Sequence, residues 1–438
     1  MCKEQSVRIK TKVIKKVFLA PILFITPIFY SIGNASEMIQ WGKARSRLQK
    51  RDFCIIGPYQ WTQFLKFKIC NRELFKVDFM DCSNFIWHRT ILICFVRLII
   101  NCIFIFKRTI SLVNRKYIKS ELGEEWDFPL LGYSQCFPHM RKNTDNIQNN
   151  KNNLHKLLND CIVQEVHKTV SPELRSGLEG TCKNELMRHG IDFKKKFICL
   201  HVRDSGYYND GNRRSYRNAD IANYKDAILY LTSRGFTVFR MGDSKMKKLQ
   251  MSDEGIIDYP FTLLKSEGMD LFLIKNCEFF IGMQSGIYST AILFNKPVLN
   301  LNMYDWFHVH PLKTCDRGLL KQVVIKGSDR PLTLNERFNL PFYFSDYTKI
   351  YQDEIVFIEN SRFEILNATK EFLLDYYSGF KRERSKELKQ NYTNFRQAST
   401  RIISLESSID SQSFFSYEPV EFSRSVLLNL ASKGALYR

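Results

Sequence analysis

Short apolar runs alternate with helix-type periodicity through the middle of the chain. Apolar residues recur every three or four positions from Ile221 to Leu231, which predicts an amphipathic helix that ends at Gly235. Further helices are predicted at 171–189, with Ser171 as N-cap, at 269–275, and after Gln284-Ser285-Gly286. The runs themselves predict strands at 197–200, 236–241, 256–259, 279–281 and 298–301. This alternation is typical of an α/β domain with a mostly parallel sheet.

The first two predicted strands each end in charged residues. The run at 197–200 stops at His201-Val202-Arg203-Asp204, and the run at 236–241 leads into Gly242-Asp243 just after Arg240. In open parallel sheets, ligands bind outside the carboxyl ends of the strands. We therefore expect a binding site at this edge.

Arg203 is the first candidate residue at that edge, because a guanidinium that follows a buried strand is well suited to bidentate contact with phosphate. His201 lies on the same face, since strand side chains alternate. An ordinary ion pair between Arg203 and Asp204 is the alternative. We favour binding because the following loop is rich in polar and aromatic side chains, namely Tyr207, Tyr208, Arg213, Arg214, Tyr216 and Arg217.

Gln284-Ser285-Gly286 forms a second candidate site between a predicted strand and helix. Backbone N–H groups and a serine hydroxyl at a helix N-terminus can hold phosphate or carboxylate. A plain N-cap explains the same spacing equally well.

The two ends of the chain have weaker patterns. An Asn-rich polar stretch at 141–153 predicts a linker, and two capping boxes, Thr333/Glu336 and Ser361/Glu364, predict helix starts near the C-terminus. Residues 381–401 are charged and helical in character, and the last twenty residues are expected to dock on the body of the protein.

Two apolar segments of the N-terminal third raise the question of membrane contact. Residues 17–32 follow a lysine-rich tail and fall short of the roughly 20 residues that span a bilayer. They are compatible with a signal peptide, an interfacial anchor or the first buried element of the fold, and we favour the last two. Residues 91–106 contain Arg97 at their centre, which favours a buried strand or helix over a membrane-surface element.

Composition narrows the class of partner. The chain has 438 residues, enough for two or three domains, and its 44% hydrophobic content is that of a globular protein. A net charge of +20 favours polyanionic partners, but no zinc-ligand spacing, RNP1 string or basic heptad region points to nucleic acid. None of the 12 cysteines has Cys-x-x-Cys spacing, so we expect free, buried thiols such as Cys199 and Cys277 in a reducing cytoplasm.

Several well-known phosphate-handling motifs are absent. His-Val-Arg-Asp is not the kinase His-Arg-Asp, and there is no P-loop, serine nucleophile elbow or Asp-x-Asp metal motif. Phosphate would therefore have to be held by arginine, backbone N–H groups and helix dipoles. We predict neither a metal site nor a cofactor.

The strings HVRDSGYY, SYRNADIANYKDAILYLTSRGFTVFRMGD, IIDYP and FFIGMQSG resemble a family of predicted bacterial glycosyltransferases often encoded with surface-polysaccharide genes. The resemblance covers about 171–302. More distantly, His-x-Arg at a strand end is similar to fucosyltransferases of GT-B type, in which the arginine contacts the donor diphosphate and no metal is required. Those enzymes often have a second arginine where this chain has Asp204, so the resemblance points to a nucleotide sugar without specifying GDP-fucose.

The resemblance implies a GT-B-like α/β fold: two Rossmann-like domains with parallel sheets and a helical C-terminal extension. The implied parts are a membrane-associated segment (1–33), an acceptor-side domain (34–165), a donor-binding domain (166–335) and the extension (336–438). Asp204 or His201 is the candidate base or orienting group. The implied donor-binding residues are Arg203, Tyr207, Tyr216, Arg217, Asn218, Arg240, Gly242, Asp243, Ser285 and Gly286.

The function implied is transfer of a sugar from a nucleotide-diphosphate donor to a surface-polysaccharide or lipid-linked glycan, without metal and with inversion. The basic charge then suits a peripheral protein on the cytoplasmic face of the cell membrane. A non-catalytic module that binds anionic or phosphorylated glycan at the membrane is the alternative, and a nucleic-acid binder is a third hypothesis.

Overall fold

The computed structural model describes residues 22–25, 27, 31–48, 50, 52–55, 69–79, 94–95, 98–99, 102, 170–206, 215–251, 253–304, 315–328, 330–332, 336, 355–381 and 421–422. The strands in this part are β1 (Ile22–Ile25), β2 (Asp52–Ile55), β3 (Phe197–Leu200), β4 (Thr237–Arg240), β5 (Ile256–Asp258), β6 (Phe280–Gly282), β7 (Val298–Met303), β8 (Arg317–Leu320), β9 (Gln322–Ile325), β10 (Ile355–Ile358) and β11 (Glu421–Phe422). The α-helices are α1 (Ile32–Leu48), α2 (Leu178–Arg188), α3 (Lys225–Ser233), α4 (Glu267–Asn276), α5 (Gly286–Leu293) and α6 (Arg362–Tyr377).

The main sheet has the strand order β11-β8-β7-β6-β3-β4-β5, and every pairing within it is parallel. From β3 the chain first builds outward through β4 and β5, then returns to β6 on the other side of β3 and continues to β7 and β8. This is the doubly wound order of a Rossmann-type sheet, and the order reverses between β3 and β6. The predicted parallel α/β domain is confirmed.

Side chains alternate between the two faces of the sheet, so the core has two parts, each covered by its own layer of helices. Phe197, Cys199 and Phe280 point to the side covered by α1, α2, α4 and α5. Ile198, Leu200 and other residues of opposite parity point to the side covered by α3 and α6. Because both faces are covered, the central strands β3 and β6 are apolar throughout and do not alternate with polar residues.

The N-terminal elements form a separate unit that packs on the main sheet's helices. β1 and β2 pair in parallel on either side of α1 in sequence. α1 lies against α5, and the two backbones touch where Gly33 meets Gly286: a Cβ on Gly33 would lie 2.5 Å from the Gly286 Cα. Only glycine permits this approach. Helix α1 therefore runs through residue 33, where the predicted membrane-associated segment ended.

The predicted elements of the central part are confirmed, with one difference in a helix start. α2 was predicted from Ser171 but begins at Leu178, after Gly177 in the left-handed region (φ +79°). The reason is that Glu173 exchanges two backbone hydrogen bonds with Asp78, so this segment is extended. The helix ends as predicted near Gly190.

The C-terminal elements are tied to the sheet by buried asparagines. The Ser361/Glu364 capping box is present and starts α6, as predicted. Just before it, Asn360 and Asn302 each donate a backbone N–H to the other's side-chain oxygen at 2.7 Å. Thr333, all of 141–153 and residues 382–401 lie outside the described residues. Of the last twenty residues, β11 alone is described, and it pairs with β8.

The apolar segments of the N-terminal third behave differently from each other. Residues 22–25 form β1 with Ile25 buried, which matches the buried-element alternative. In 91–106 the described residues are helical, but Phe95, Leu98 and Ile99 are exposed, so the expectation of a buried element is wrong there. Within the described ranges, no helix is both long and apolar enough to cross a bilayer. A second domain, of which β1, α1 and β2 would be part, stays a prediction.

Candidate active site at the switch point of the sheet

The predicted strand-end residues meet where the strand order reverses. β3 ends in His201 to Asp204, and the adjacent β6 ends in Met283 to Gly286. The backbone N–H of His201 still bonds to Ile281, so the two segments leave the sheet side by side. A crevice forms at this position in doubly wound sheets because the connections from the two strands run to opposite faces.

His201 and Ser285 form the direct link between the two segments. The Ser285 Oγ lies 3.0 Å from the His201 Nδ1. Ser285 takes the N-cap position of α5, yet it caps no backbone N–H, so its hydroxyl serves the imidazole instead. Desolvation, with the positive charges of Arg240 and Arg203, lowers the pKa of His201 to about 3. The imidazole is therefore neutral at physiological pH and a weak base.

Arg203 is buried, and its guanidinium is fixed rather than free in solvent. The Nη1 donates to the Asn218 Oδ1 at 2.6 Å, and the Arg203 carbonyl accepts from Ala219. These bonds fold residues 218–219 back against the end of β3. Arg203 and Asn218, both predicted as donor-binding residues, are thus in direct contact.

Lys321 is a site residue that the sequence did not reveal. It follows β8, is 2% exposed, and donates from its Nζ to the Asn218 backbone oxygen at 2.5 Å. Burial lowers the pKa of Lys321 to about 8, with the Arg203 charge lowering it further and Glu359 opposing the shift. Two cations therefore converge on Asn218 from opposite sides, which concentrates positive charge inside the protein.

Arg217 and Tyr216 line the neighbouring wall. The Arg217 Nη2 donates to the Gln284 carbonyl at 2.7 Å, directly before Ser285, and its guanidinium carbon lies 5.5 Å from the Tyr304 ring centroid. Tyr216 is buried against Tyr304 and Phe357. Tyr216 and Tyr304 are 7% and 8% exposed, so their rings belong to a buried cluster that supports Arg217. A direct role of Tyr216 in donor binding stays a prediction.

Asp204 has both carboxylate oxygens engaged by backbone. Its Oδ1 accepts from the Gly206 N–H at 2.9 Å and its Oδ2 from the Lys247 N–H at 2.9 Å. It therefore joins the loop after β3 to the loop after β4. No contact between Asp204 and Arg203 is part of this arrangement, and its role as a catalytic group stays a prediction.

The residues at the end of β4 make contacts within the protein. Arg240 is buried and pairs with Asp258 at 2.8 Å, while Asp243 accepts from the Lys245 N–H. Gly242 has φ +151°, and a Cβ there would lie 2.0 Å from the Met246 sulfur. Packing against Met246 therefore explains this glycine. Tyr207 lies outside the described residues.

Gly286 has a similar explanation, because its close neighbour is the backbone of Gly33. Beside this contact α1 places Glu37, a second residue that the sequence did not single out, 2.8 Å from the Ser289 Oγ. Strand β8 and helix α1 have no distinctive sequence signature, so nothing in the pattern pointed to Lys321 or Glu37. Among the described residues, no group of three or more His, Cys, Asp or Glu side chains is arranged to bind a metal ion.

Comparisons with known proteins give limited similarity. No family model matches the chain, and no curated protein matches it either. Among solved structures, a glycosyl transferase family 9 protein from Veillonella parvula is 12% identical with a TM-score of 0.30, over 49% of this chain and 58% of that one. The dodecameric iron-containing heptosyltransferase TibC, in complex with ADP-D-β-D-heptose, is 13% identical with a TM-score of 0.23, over 44% and 48%.

The chain thus spans about half the length of the solved structures that it matches. A TM-score below 0.5 does not establish a shared fold. The assignment of an α/β Rossmann-type sheet rests on the strand order and pairings described above.

Proposed function

We propose that this protein is a glycosyltransferase that binds a nucleotide-diphosphate sugar at the β3/β6 switch point and transfers the sugar to a glycan. The donor's diphosphate lies against Arg203 and Lys321. The nucleotide extends toward Arg217. The acceptor approaches from the side of the N-terminal unit.

One observation supports this proposal above the others: two buried cations, Arg203 and Lys321, converge on Asn218 at the carboxyl edge of the sheet. Two neighbouring positive charges, with Glu359 interacting with Lys321, give this edge of the sheet a positive potential that favours an anionic ligand. A diphosphate offers negative charge and oxygen acceptors, which guanidinium and ammonium groups bind well.

The N-terminus of α5 supports the same position. Its first N–H groups and the Ser285 hydroxyl lie at the crevice, where the helix dipole favours negative charge. The donor could therefore be bound, and the leaving diphosphate stabilised, by cationic side chains and helix dipole alone. On this basis we propose metal-independent transfer, and inversion as in the distantly similar GT-B fucosyltransferases.

The acceptor is proposed to be a lipid-linked or surface-polysaccharide glycan, with the protein peripheral to the cytoplasmic face of the membrane. The net charge of +20 and the exposed Phe95, Leu98 and Ile99 support contact with an anionic lipid surface. Sedimentation with phosphatidylglycerol vesicles at low salt, and release at high salt, is the expected behaviour.

A panel of UDP-, GDP-, ADP- and dTDP-linked sugars tests the function. We expect one class to stabilise the protein, by about 2.7 kcal/mol when present at 100 times its dissociation constant. The same donor should release nucleoside diphosphate, undiminished in EDTA. Stabilisation without any turnover would instead support the non-catalytic module, and stabilisation by none of the panel would contradict the donor site.

A further inference from the structure

Helix α1 brings a carboxylate to the edge of the proposed donor site. Three contacts join it to α5 in the same direction along both helices: Gly33 to Gly286, Ser36 to Thr290 at 2.9 Å, and Glu37 to Ser289. The N-termini of the two helices therefore lie side by side. Glu37 is in the second turn of α1, directly beside the first turns of α5.

Glu37 contacts α5 about one helical turn beyond the His201–Ser285 link. Ser289 follows Ser285 by four residues, which corresponds to about 6 Å along the axis of α5. On the other side, the Arg217 guanidinium that bonds to the Gln284 carbonyl also attracts the Glu37 carboxylate. The Glu37 carboxylate thus extends from the N-terminal unit toward the edge of the sheet where the donor is proposed to bind.

The carboxylate is only partly engaged. Its Oε1 accepts the Ser289 hydroxyl at 2.8 Å, while the described part of the chain offers no hydrogen-bond donor to Oε2. The residue as a whole is half-buried. Burial raises the pKa of Glu37 to about 7, against the lowering effects of Ser289 and Arg217. A carboxylate of this kind is well matched to proton transfer near neutral pH.

The two base candidates from the sequence are less suitable. The His201 imidazole is held neutral with a pKa of about 3, so it accepts a proton poorly. Both oxygens of Asp204 already accept backbone N–H groups. His201 is better placed to orient Ser285 than to remove a proton.

We propose that Glu37 is the general base of the transfer, an inference that rests on the proposed function. Its Oε2 takes the proton of the acceptor hydroxyl as the acceptor oxygen bonds to the anomeric carbon of the donor sugar. The bond from that carbon to the diphosphate oxygen breaks, and its electron pair leaves with the nucleoside diphosphate, whose charge Arg203 and Lys321 stabilise. The proton then passes from Glu37 to solvent, and no further reactant is needed.

Glu37→Gln tests this assignment, because it keeps the shape and a hydrogen-bond acceptor for Ser289 but cannot take a proton. With the donor found in the panel and water or glycan as acceptor, kcat should fall by about 10²- to 10⁴-fold. The donor dissociation constant, measured by calorimetry, should stay within about twofold. Glu37→Asp should keep part of kcat. Glu185 is a carboxylate on α2 that pairs with the exposed Arg188, and the Glu185→Gln control should match the wild type.

The pH profile separates a base from a merely structural residue. The kcat of the wild type should rise with pH through an apparent pKa near 7, and so should that of Glu37→Asp. The kcat of Glu37→Gln should lack this rising limb of the pH profile. Among the described residues, Arg217 and Tyr288 face Glu37. Arg217 contributes a positive charge, and burial raises the pKa of Tyr288 above its ordinary range, away from this limb.

Three results would count against the assignment. Unchanged kcat in Glu37→Gln, with an active wild type, would overturn the base and leave the transferase intact. If Glu37→Gln lowered donor affinity as well as kcat, Glu37 would instead help to hold the donor site in shape. A wild type that binds and cleaves no donor would remove the proposed function and the base with it.

Discussion

The main sheet and the N-terminal β1–α1–β2 unit contribute to the site in different ways. The sheet supplies groups fixed in its own interior: Arg203 and Lys321 are buried, and both bond to Asn218. The N-terminal unit supplies one side chain, Glu37, on a helix that is joined to the rest through its contact with α5.

This difference suggests a division between binding and reaction. Groups held within a continuous sheet can fix a charged ligand at low reorganisation cost, since their positions are set before the ligand arrives. The position of a side chain on α1 depends on how α1 packs against α5, so it is more sensitive to changes in that packing. We therefore expect changes at the α1–α5 contact to affect turnover more than donor affinity.

The largest effect should come from Gly33→Ala, which breaks this contact. The new Cβ would lie 2.5 Å from the Gly286 Cα, a backbone atom that cannot move aside. We expect the free energy of unfolding to fall by about 1–3 kcal/mol, despite the gain in helix propensity. Turnover should fall as Glu37 shifts, while the donor dissociation constant changes little.

Gly180→Ala is the matched control, because it makes the same substitution in α2 where a Cβ meets nothing within 4 Å. It should stabilise the protein by about 0.4–1 kcal/mol and leave turnover unchanged. Urea unfolding of both variants measures the contrast. Equal effects on stability in the two helices would show that α1 is not locked to α5.

An effect of similar size should appear in the pH dependence of stability, with opposite signs for the two regions. The pKa of His201 is lowered from 6.5 to about 3, so the unfolded chain takes up its proton first and stability is lost as pH falls from about 6.5 toward 3. The pKa of Glu37 is raised from 4.5 to about 7, so the unfolded chain releases its proton first and stability is lost as pH rises through this range.

The contribution of Glu37 is measured by comparing the unfolding free energies of Glu37→Gln and the wild type at pH 5 and pH 8. The variant should gain about 1–3 kcal/mol relative to the wild type over this interval. His201→Gln should instead flatten the loss of stability below pH 6.5. Parallel pH curves for all three proteins would mean that neither group is perturbed by burial.

Much of the sheet could be predicted from the sequence because its strands are buried on both faces and end abruptly in polar residues. The positions of β3, β4 and β6 followed from this contrast, as did the helix end at Gly235, whose φ of +83° favours glycine. The Ser361/Glu364 box started α6 where its spacing indicated. In each case a local signal and the tertiary structure agree.

The remaining features depend on contacts that are distant in sequence. The late start of α2 follows from pairing of Glu173 with Asp78, and Gly286 is explained by Gly33, 253 positions away in the printed sequence. Lys321 became a site residue only because β8 lies beside β7 in the same parallel sheet. Local periodicity carries no information about such pairings. The sequence therefore indicated Arg203 as a candidate site residue but did not indicate Lys321 or Glu37.

The central claim is that Arg203 binds the donor's diphosphate. Calorimetry with the nucleoside diphosphate and, separately, with the nucleoside alone tests this claim most directly. Arg203→Met keeps the apolar stem in its buried position, and Arg188→Met provides a control at an exposed arginine on α2. For the nucleotide selected by the panel, Arg203→Met should weaken nucleoside diphosphate binding by about 1.5–3 kcal/mol, roughly 10- to 150-fold, and leave binding of the nucleoside alone unchanged. Equal diphosphate affinity in Arg203→Met and the wild type would contradict the account.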